Sequence, residues 1–195
     1  MKDWTGNSNS VVRMLGASNH SDTTREKNDY YATDPKMVEA LLKVETFDKY
    51  IWEPACGEGH IAKVLEKHGH VVSASDLIYR GYGDPEPYDF LKHNDYLYDM
   101  DIITNPPYKY ALEFVEKALA SVSEGQKVAM LLKLQFLEGQ KRRKLFDKNP
   151  PQTVYVFSER QECAKNGEFT GNSAVAYAWF IWKKWYIGST YLKWI

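Results

Sequence analysis

The sequence predicts an α/β domain built on a mainly parallel sheet, and three observations carry that prediction. Short apolar runs alternate with amphipathic segments between residues 35 and 148, the pattern of repeated strand–helix units. A glycine-containing loop, Glu53-Pro54-Ala55-Cys56-Gly57-Glu58-Gly59, joins one such run to the amphipathic segment after it. Near the C-terminus two apolar runs follow one another with no helical period between them, which predicts a closing antiparallel pair.

The elements follow in order. Residues 1–28 are rich in Gly, Asn, Ser, Thr and Asp and have no sustained apolar period, so they are expected to form a flexible arm. Residues 29–195 are expected to form a single domain. Thr33-Asp34-Pro35 is a helix start, with capping residues ahead of a first-turn proline, and Val38, Leu41 and Leu42 supply the apolar face. Residues 49–52 read as a strand. Ile61, Val64, Leu65 and His68 then line a helix face that Gly69 ends. Residues 70–74 are a strand, with Asp76 just beyond it. Residues 79–88 are turn-rich, with Gly81, Gly83, Pro85 and Pro87. Residues 99–104 form a buried strand. Ala111, Phe114, Val115, Ala118, Leu119 and Val122 mark an amphipathic helix. Residues 127–132 are a strand, 142–148 a short basic helix, and 154–157 and 174–182 the closing strands.

Composition bounds the function classes. The 195 residues carry a formal net charge of −1, with 44% hydrophobic and 26% charged residues, an ordinary globular mixture. Such a balance argues against gripping a polyanion through overall charge, but leaves room for a local basic patch. Two cysteines exclude a disulfide scaffold, and neither belongs to a CxxC pair. The five histidines have no metal-binding spacing, so no metal is expected. The N-terminus lacks the apolar core of a signal peptide, and the longest apolar run, residues 175–182, is too short to cross a bilayer. A cytoplasmic protein is the expectation. Aromatic residues reach 14%. Packing accounts for most of them, and a few are expected to face flat ligands.

The glycine loop points to a ligand. Strand, loop and helix in this order hold ligands at the carboxyl ends of strands in open α/β sheets. Gly57 and Gly59 let backbone approach the ligand closely, and Asp76 at the end of the next strand can accept from ribose hydroxyls. A nucleoside-containing cofactor is therefore expected. Gly57-Glu58-Gly59-His60-Ile61-Ala62 also satisfies the loose dinucleotide pattern GxGxxA, which keeps a nicotinamide cofactor as the alternative. Against it, Glu53 and Glu58 put negative charge where a pyrophosphate would sit.

Asn105-Pro106-Pro107-Tyr108 lies directly after a strand and before a helix. An exocyclic amine on a base is a poor nucleophile, because its lone pair is delocalised into the ring. The Asn105 side-chain oxygen and the Pro106 carbonyl can accept its two hydrogens and draw the nitrogen toward tetrahedral geometry. Two prolines stiffen the backbone that presents these acceptors, and Tyr108 can stack on the ring.

On these motifs residues 30–195 resemble the S-adenosylmethionine-dependent amino-methyltransferases of DNA, most closely the small adenine-N6 enzymes of bacteriophages and prophages. The resemblance implies a Rossmann-like class I methyltransferase fold. That fold is a mainly parallel seven-stranded sheet, its last strand inserted antiparallel, with helices on both faces. It implies S-adenosylmethionine as cofactor and S-adenosylhomocysteine as product. The implied cofactor residues are Tyr31 and Thr33 at the methionine end, Glu53, Pro54, Ala55, Gly57 and Gly59 in the loop, and Asp76 and Leu77 at the ribose. Asp89 and Phe90 are implied at the adenine, and Asn105 near the methyl group. Asn105, Pro106, Pro107 and Tyr108 are implied as catalytic. Asp34 stands between Thr33 and Pro35, where the family usually has a direct Thr-Pro pair.

The implied partner is DNA, with RNA as an alternative and no membrane. The late strands consume most of the chain after Tyr108, so no separate target-recognition domain is expected. Specificity then falls to loops, a homodimer or another partner. Lys141, Arg142, Arg143, Lys144 and Lys148 face a single Asp147 and form a candidate phosphate-contacting patch. Phe169, in the loop over residues 158–173, is the candidate for packing on a flipped base. The same Asn-Pro-Pro-Tyr chemistry also serves cytosine N4, RNA bases and a protein glutamine amide. A non-catalytic cofactor-binding or nucleic-acid-binding module is the remaining alternative.

Overall fold

The computed structural model describes residues 30–93, 97–165 and 175–195. The expected arm over residues 1–28 and the candidate Phe169 lie outside the described residues. The strands are β1 (Tyr31–Thr33), β2 (Tyr50–Glu53), β3 (Val71–Ala74), β4 (Asp101–Thr104), β5 (Lys127–Lys133), β6 (Thr153–Val156), β7 (Cys163–Lys165), β8 (Tyr177–Lys183) and β9 (Tyr191–Trp194). The helices are α1 (Pro35–Leu42), α2 (Ala62–Lys67), α3 (Ala111–Ser121) and α4 (Gln140–Lys148).

Seven strands form the main sheet in the order β3-β2-β4-β5-β8-β6-β9. Among the described residues, β8 is the one antiparallel member of that sheet, paired with β5 on one side and β6 on the other. The antiparallel strand expected near the C-terminus is β8, inserted between β5 and β6. The inserted strand is followed by β9, which lies at the sheet edge parallel to β6. Trp185, in the turn after β8, has a positive φ of 63°. The chain reverses there beside the start of β6 and must run in the direction of β6. Outside the main sheet, β1 and β7 form a separate antiparallel ribbon.

Alternation along β5 and β8 divides the core into two layers. Val128, Met130, Leu132, Ala178, Phe180 and Trp182 pack with Phe114, Val115 and Ala118 of α3 and Leu145 of α4. Ala129, Leu131, Trp179 and Ile181 point the other way, onto Met37, Val38 and Leu41 of α1 and Leu65 of α2. Helices therefore cover both faces, and the middle strands read as continuous apolar runs because neither face meets water. Two contacts tie the layers to their surroundings. Trp179 Nε1–H donates to the Met37 carbonyl at 2.9 Å. Asp101 accepts from the Asp48 N–H at 2.7 Å and the Lys127 N–H at 2.6 Å, joining the starts of three neighbouring segments.

The helix start at Thr33-Asp34-Pro35 forms as the residues predict. Asp34 caps α1 by accepting from the Lys36 N–H at 2.9 Å, with Pro35 in the first turn. The parallel strands β2, β3, β4 and β5 all end at the same side, which brings Glu53, Asp76, Asn105 and Lys133 to one end of the sheet.

Replacing Trp179 with Phe tests the core. It removes the indole donor, while the Met37 carbonyl keeps its acceptor place in the α1 ladder, and it leaves a void where the larger ring stood, at a cost of about 2 kcal/mol in urea denaturation. A loss under about 0.5 kcal/mol would show that the indole hydrogen bond contributes nothing net.

Candidate cofactor and catalytic site

The site starts where β2 ends. Glu53 is 1% exposed, and its carboxyl accepts from the Ala62 N–H at 2.9 Å. It therefore supplies the cap that Ile61, at the N-cap position of α2, cannot. Burial pushes the Glu53 carboxyl well above the usual carboxylate range, and the nearby Asp76 adds to the effect. Glu53 faces the start of α2, and Glu58 is exposed.

The two glycines of the loop have positive φ, 54° at Gly57 and 78° at Gly59. Tyrosine rings occupy the space beside them. A Cβ on Gly57 would lie 2.3 Å from Tyr30, and one on Gly59 would lie 2.4 Å from Tyr82. Both rings pack against the loop, so a side chain at either glycine would collide with one. Tyr30 hydrogen-bonds His60 Nδ1 through its hydroxyl at 3.1 Å, and the Arg80 guanidinium lies 4.8 Å from its ring centre. Asp76 accepts from the Gly57 N–H at 2.8 Å, the Ile78 N–H at 3.0 Å and Arg80 at 3.3 Å. It thereby fastens the loop to the turn after β3.

A cavity of about 690 Å³ opens between this loop and the ends of β3 and β4. Tyr31, Pro54, Ala55, Asp76, Leu77, Asp89, Phe90, Asn105, Pro106 and Pro107 line it, so ten of the expected residues converge on one space. Asp89 is held below its ordinary pKa by the Lys92 ammonium, 2.9 Å away. Phe90 stands edge-on to Trp52 at 5.2 Å. Tyr30, Arg80, Tyr88, Lys92, Lys109 and Tyr110 also line the cavity. Sequence reasoning missed these six as site residues, although Tyr88 lies in the turn-rich stretch and Arg80 four residues after Asp76.

Asn105 sits where β4 ends. Its amide nitrogen donates to the Tyr31 carbonyl and to the Thr33 hydroxyl, both at 3.1 Å. Its oxygen Oδ1 is buried and accepts no hydrogen bond among the described residues. Tyr108 belongs to an aromatic cluster, 5.4 Å from the Tyr31 ring and 5.8 Å from the Tyr177 ring, with Lys133 Nζ 4.7 Å from its centre. Its hydroxyl is buried without a well-formed hydrogen bond and faces Cys163 and Tyr177.

No protein-family model matches the sequence, and no curated relative does. Solved structures do match in three dimensions. The chain superposes on the modification subunit assigned to a type I restriction enzyme of Vibrio vulnificus YJ016 with a TM-score of 0.55 and 14% identity. That match covers 94% of this chain and 49% of the subunit, so the chain spans about half the subunit's length. A Listeria monocytogenes protein assigned as a class I S-adenosylmethionine-dependent methyltransferase gives a TM-score of 0.56 at 15% identity, over 96% of this chain and 73% of that one. A Thermotoga maritima S-adenosylmethionine-dependent O-methyltransferase gives 0.50 at 16% identity, over 80% and 66%. The chain has the class I methyltransferase fold.

Within this fold the structure leaves several expected residues outside the cavity wall. Thr33, Glu53, Gly57, Gly59 and Tyr108 do not line it. The basic helix α4 is also less open than its charges suggest. Arg142 donates to the Glu138 carbonyl and covers the Phe136 ring, and Arg143 pairs with Asp147 at 2.7 Å. Lys141, Lys144 and Lys148 remain exposed.

The buried Glu53 carboxyl makes stability pH-dependent. Its folded pKa is raised, so the stability it contributes is full below the unfolded carboxyl range and is lost as pH rises through the folded value. Glu53→Gln removes that titration and keeps an acceptor for the Ala62 N–H. Between mildly acidic and neutral pH, the denaturation midpoint of the variant should fall less than that of the parent. Equal slopes in urea titrations would contradict the assignment.

Proposed function

We propose that the chain transfers a methyl group from S-adenosylmethionine to the exocyclic N6 amine of adenine in DNA, with the base flipped into the site. The observation that carries this reading is Asn105 Oδ1, a buried acceptor with no partner among the described residues, on a residue that lines the cavity. A buried acceptor left unpaired is costly, and an incoming amine hydrogen satisfies it.

The residues present fit the cofactor. A cavity of about 690 Å³ lies within the range that takes a nucleoside-sized ligand. Asp76 retains acceptor capacity for ribose hydroxyls beyond its three contacts. Asp89 and Phe90 offer an acceptor and an apolar wall for an adenine ring, and Pro54 and Ala55 a close backbone approach. When bound, S-adenosylmethionine supplies a methyl group activated by its sulfonium. This chain's residues then hold the acceptor: Asn105 Oδ1 accepts a hydrogen bond from the amine and draws its lone pair out of the ring, and the proton released on methylation passes to solvent. The rigid Pro106-Pro107 step keeps that acceptor in place, worth about 10²–10³ in rate for a preorganised polar group. The assignment of the Vibrio vulnificus structure to a restriction enzyme's modification subunit supports DNA as the substrate class.

Incubation with tritiated S-adenosylmethionine and unmethylated DNA should label the DNA, and the digest should contain N6-methyladenosine. Label confined to RNA or protein would overturn the substrate. Asn105→Ala should bind the cofactor with the parent's affinity in calorimetry and lose turnover about 10²-fold or more. Lost cofactor binding would overturn the role given to Asn105.

The exposed face of α4 is assigned to DNA phosphates. Replacing Lys141, Lys144 and Lys148 together with Gln should lower the salt dependence of DNA binding by about 0.9 in slope for each phosphate no longer neutralised. An unchanged slope would make the helix an ordinary solvated face.

A further inference from the structure

The β1–β7 ribbon meets the main sheet at Asn105. In its register Thr33 stands opposite Cys163. The two N–H groups of the Asn105 amide both go to this ribbon, one to the Tyr31 carbonyl and one to the Thr33 hydroxyl, each at 3.1 Å. Cys163 Sγ lies 3.9 Å from the same nitrogen. Burial pushes the Cys163 thiol up to about 12, so it stays neutral beside the amide.

A primary amide is nearly symmetric in shape, and only its partners decide which end is oxygen. A carbonyl can only accept. The Tyr31 carbonyl therefore demands the NH₂ on the ribbon side, and the Thr33 hydroxyl takes the second hydrogen. Turned the other way, the amide would set oxygen against oxygen at Tyr31 and leave two buried N–H groups unpaired. The orientation observed is the one that leaves Oδ1 free. Thr33 itself is 2% exposed and does not line the cavity. Its hydroxyl is engaged by Asn105, whereas the family resemblance places this threonine at the methionine end of the cofactor.

We infer that Thr33 is a positioning residue: with the Tyr31 carbonyl it locks the Asn105 amide so that Oδ1 is presented to the substrate amine. This inference rests on the methyl-transfer reading above. It assigns the β1–β7 ribbon the task of orienting the catalytic acceptor. A residue that orients rather than binds acts on turnover and leaves affinities alone.

The test uses the full chain with Thr33→Val, which keeps the shape and removes the hydroxyl, and Thr33→Ser, which restores the hydroxyl. In single-turnover and steady-state methylation of an adenine-containing duplex, Thr33→Val should lower kcat about 10- to 100-fold. KM for DNA and the calorimetric Kd for S-adenosylmethionine should stay within about two-fold of the parent, and Thr33→Ser should recover most of the rate. If Thr33→Val does not fold, Thr33→Ala takes its place. Independently of activity, the side-chain amide protons of Asn105, followed by nitrogen-15 NMR, should exchange faster with solvent in Thr33→Val than in the parent. Weakened cofactor binding with an unchanged kcat would overturn the inference and return Thr33 to the cofactor. Unchanged exchange at the Asn105 amide would overturn it too. If the parent methylates no DNA, the functional reading fails, and the exchange measurement still decides whether Thr33 holds Asn105.

Discussion

β5 and β8 lie side by side in the middle of the sheet with both faces covered, so each N–H and C=O must find its partner in a neighbouring strand. Their register runs over seven residue pairs, from Lys127 opposite Lys183 to Lys133 opposite Tyr177. That dry, fixed register sets where the neighbouring parallel strands begin and end. The carboxyl ends of β2, β3 and β4 consequently align beside the end of β5, and the glycine loop, Asp76 and Asn105 meet at one cavity. A slip of one residue in β8 would exchange its two faces and put Trp179 and Phe180 in the wrong layers.

At the cavity, polar groups serve two levels of structure at once. Glu53 caps α2 from the end of β2, so the turn that carries Gly57 and Gly59 is closed at both ends. Asp76 fastens the same loop through the Gly57 N–H and still lines the cavity. Tyr30 and Tyr82 lie on the glycines, and a side chain at either glycine would collide with a ring. The loop is thus shaped by packing from outside as well as by its own backbone. Asn105 completes the pattern, because its amide is held by β1 while its oxygen stays unpaired.

The parts legible in the sequence are those whose signal is local. Asn105 to Tyr108 can be read because two prolines after a strand leave the backbone few conformations. The helix start at Asp34-Pro35 can be read because both the cap and the first-turn proline lie within two residues. Tyr30 and Arg80 cannot be assigned to the site from sequence, since Tyr30 reaches His60 across thirty positions and neither neighbourhood shows it. β1 and β7 are too short to show a two-residue period, and their pairing joins Thr33 to Cys163 across most of the chain. β9 escapes a sequence reading because all four of its residues are exposed, so it lacks the apolar alternation that marks a strand.

Read alone, the residues establish the α/β class, the glycine loop, Asp76 and the Asn-Pro-Pro-Tyr turn. Each is written in neighbouring positions whose backbone preferences and hydrophobic period do not depend on distant partners. Which partners those groups take is decided by the folded arrangement. It turns Glu53 to the α2 start, places Tyr108 among tyrosines, engages Arg142 and Arg143 within their own segment, and frees Asn105 Oδ1 by taking up the other end of its amide. A polar side chain has several partners within reach, and burial by elements far apart in the chain selects among them.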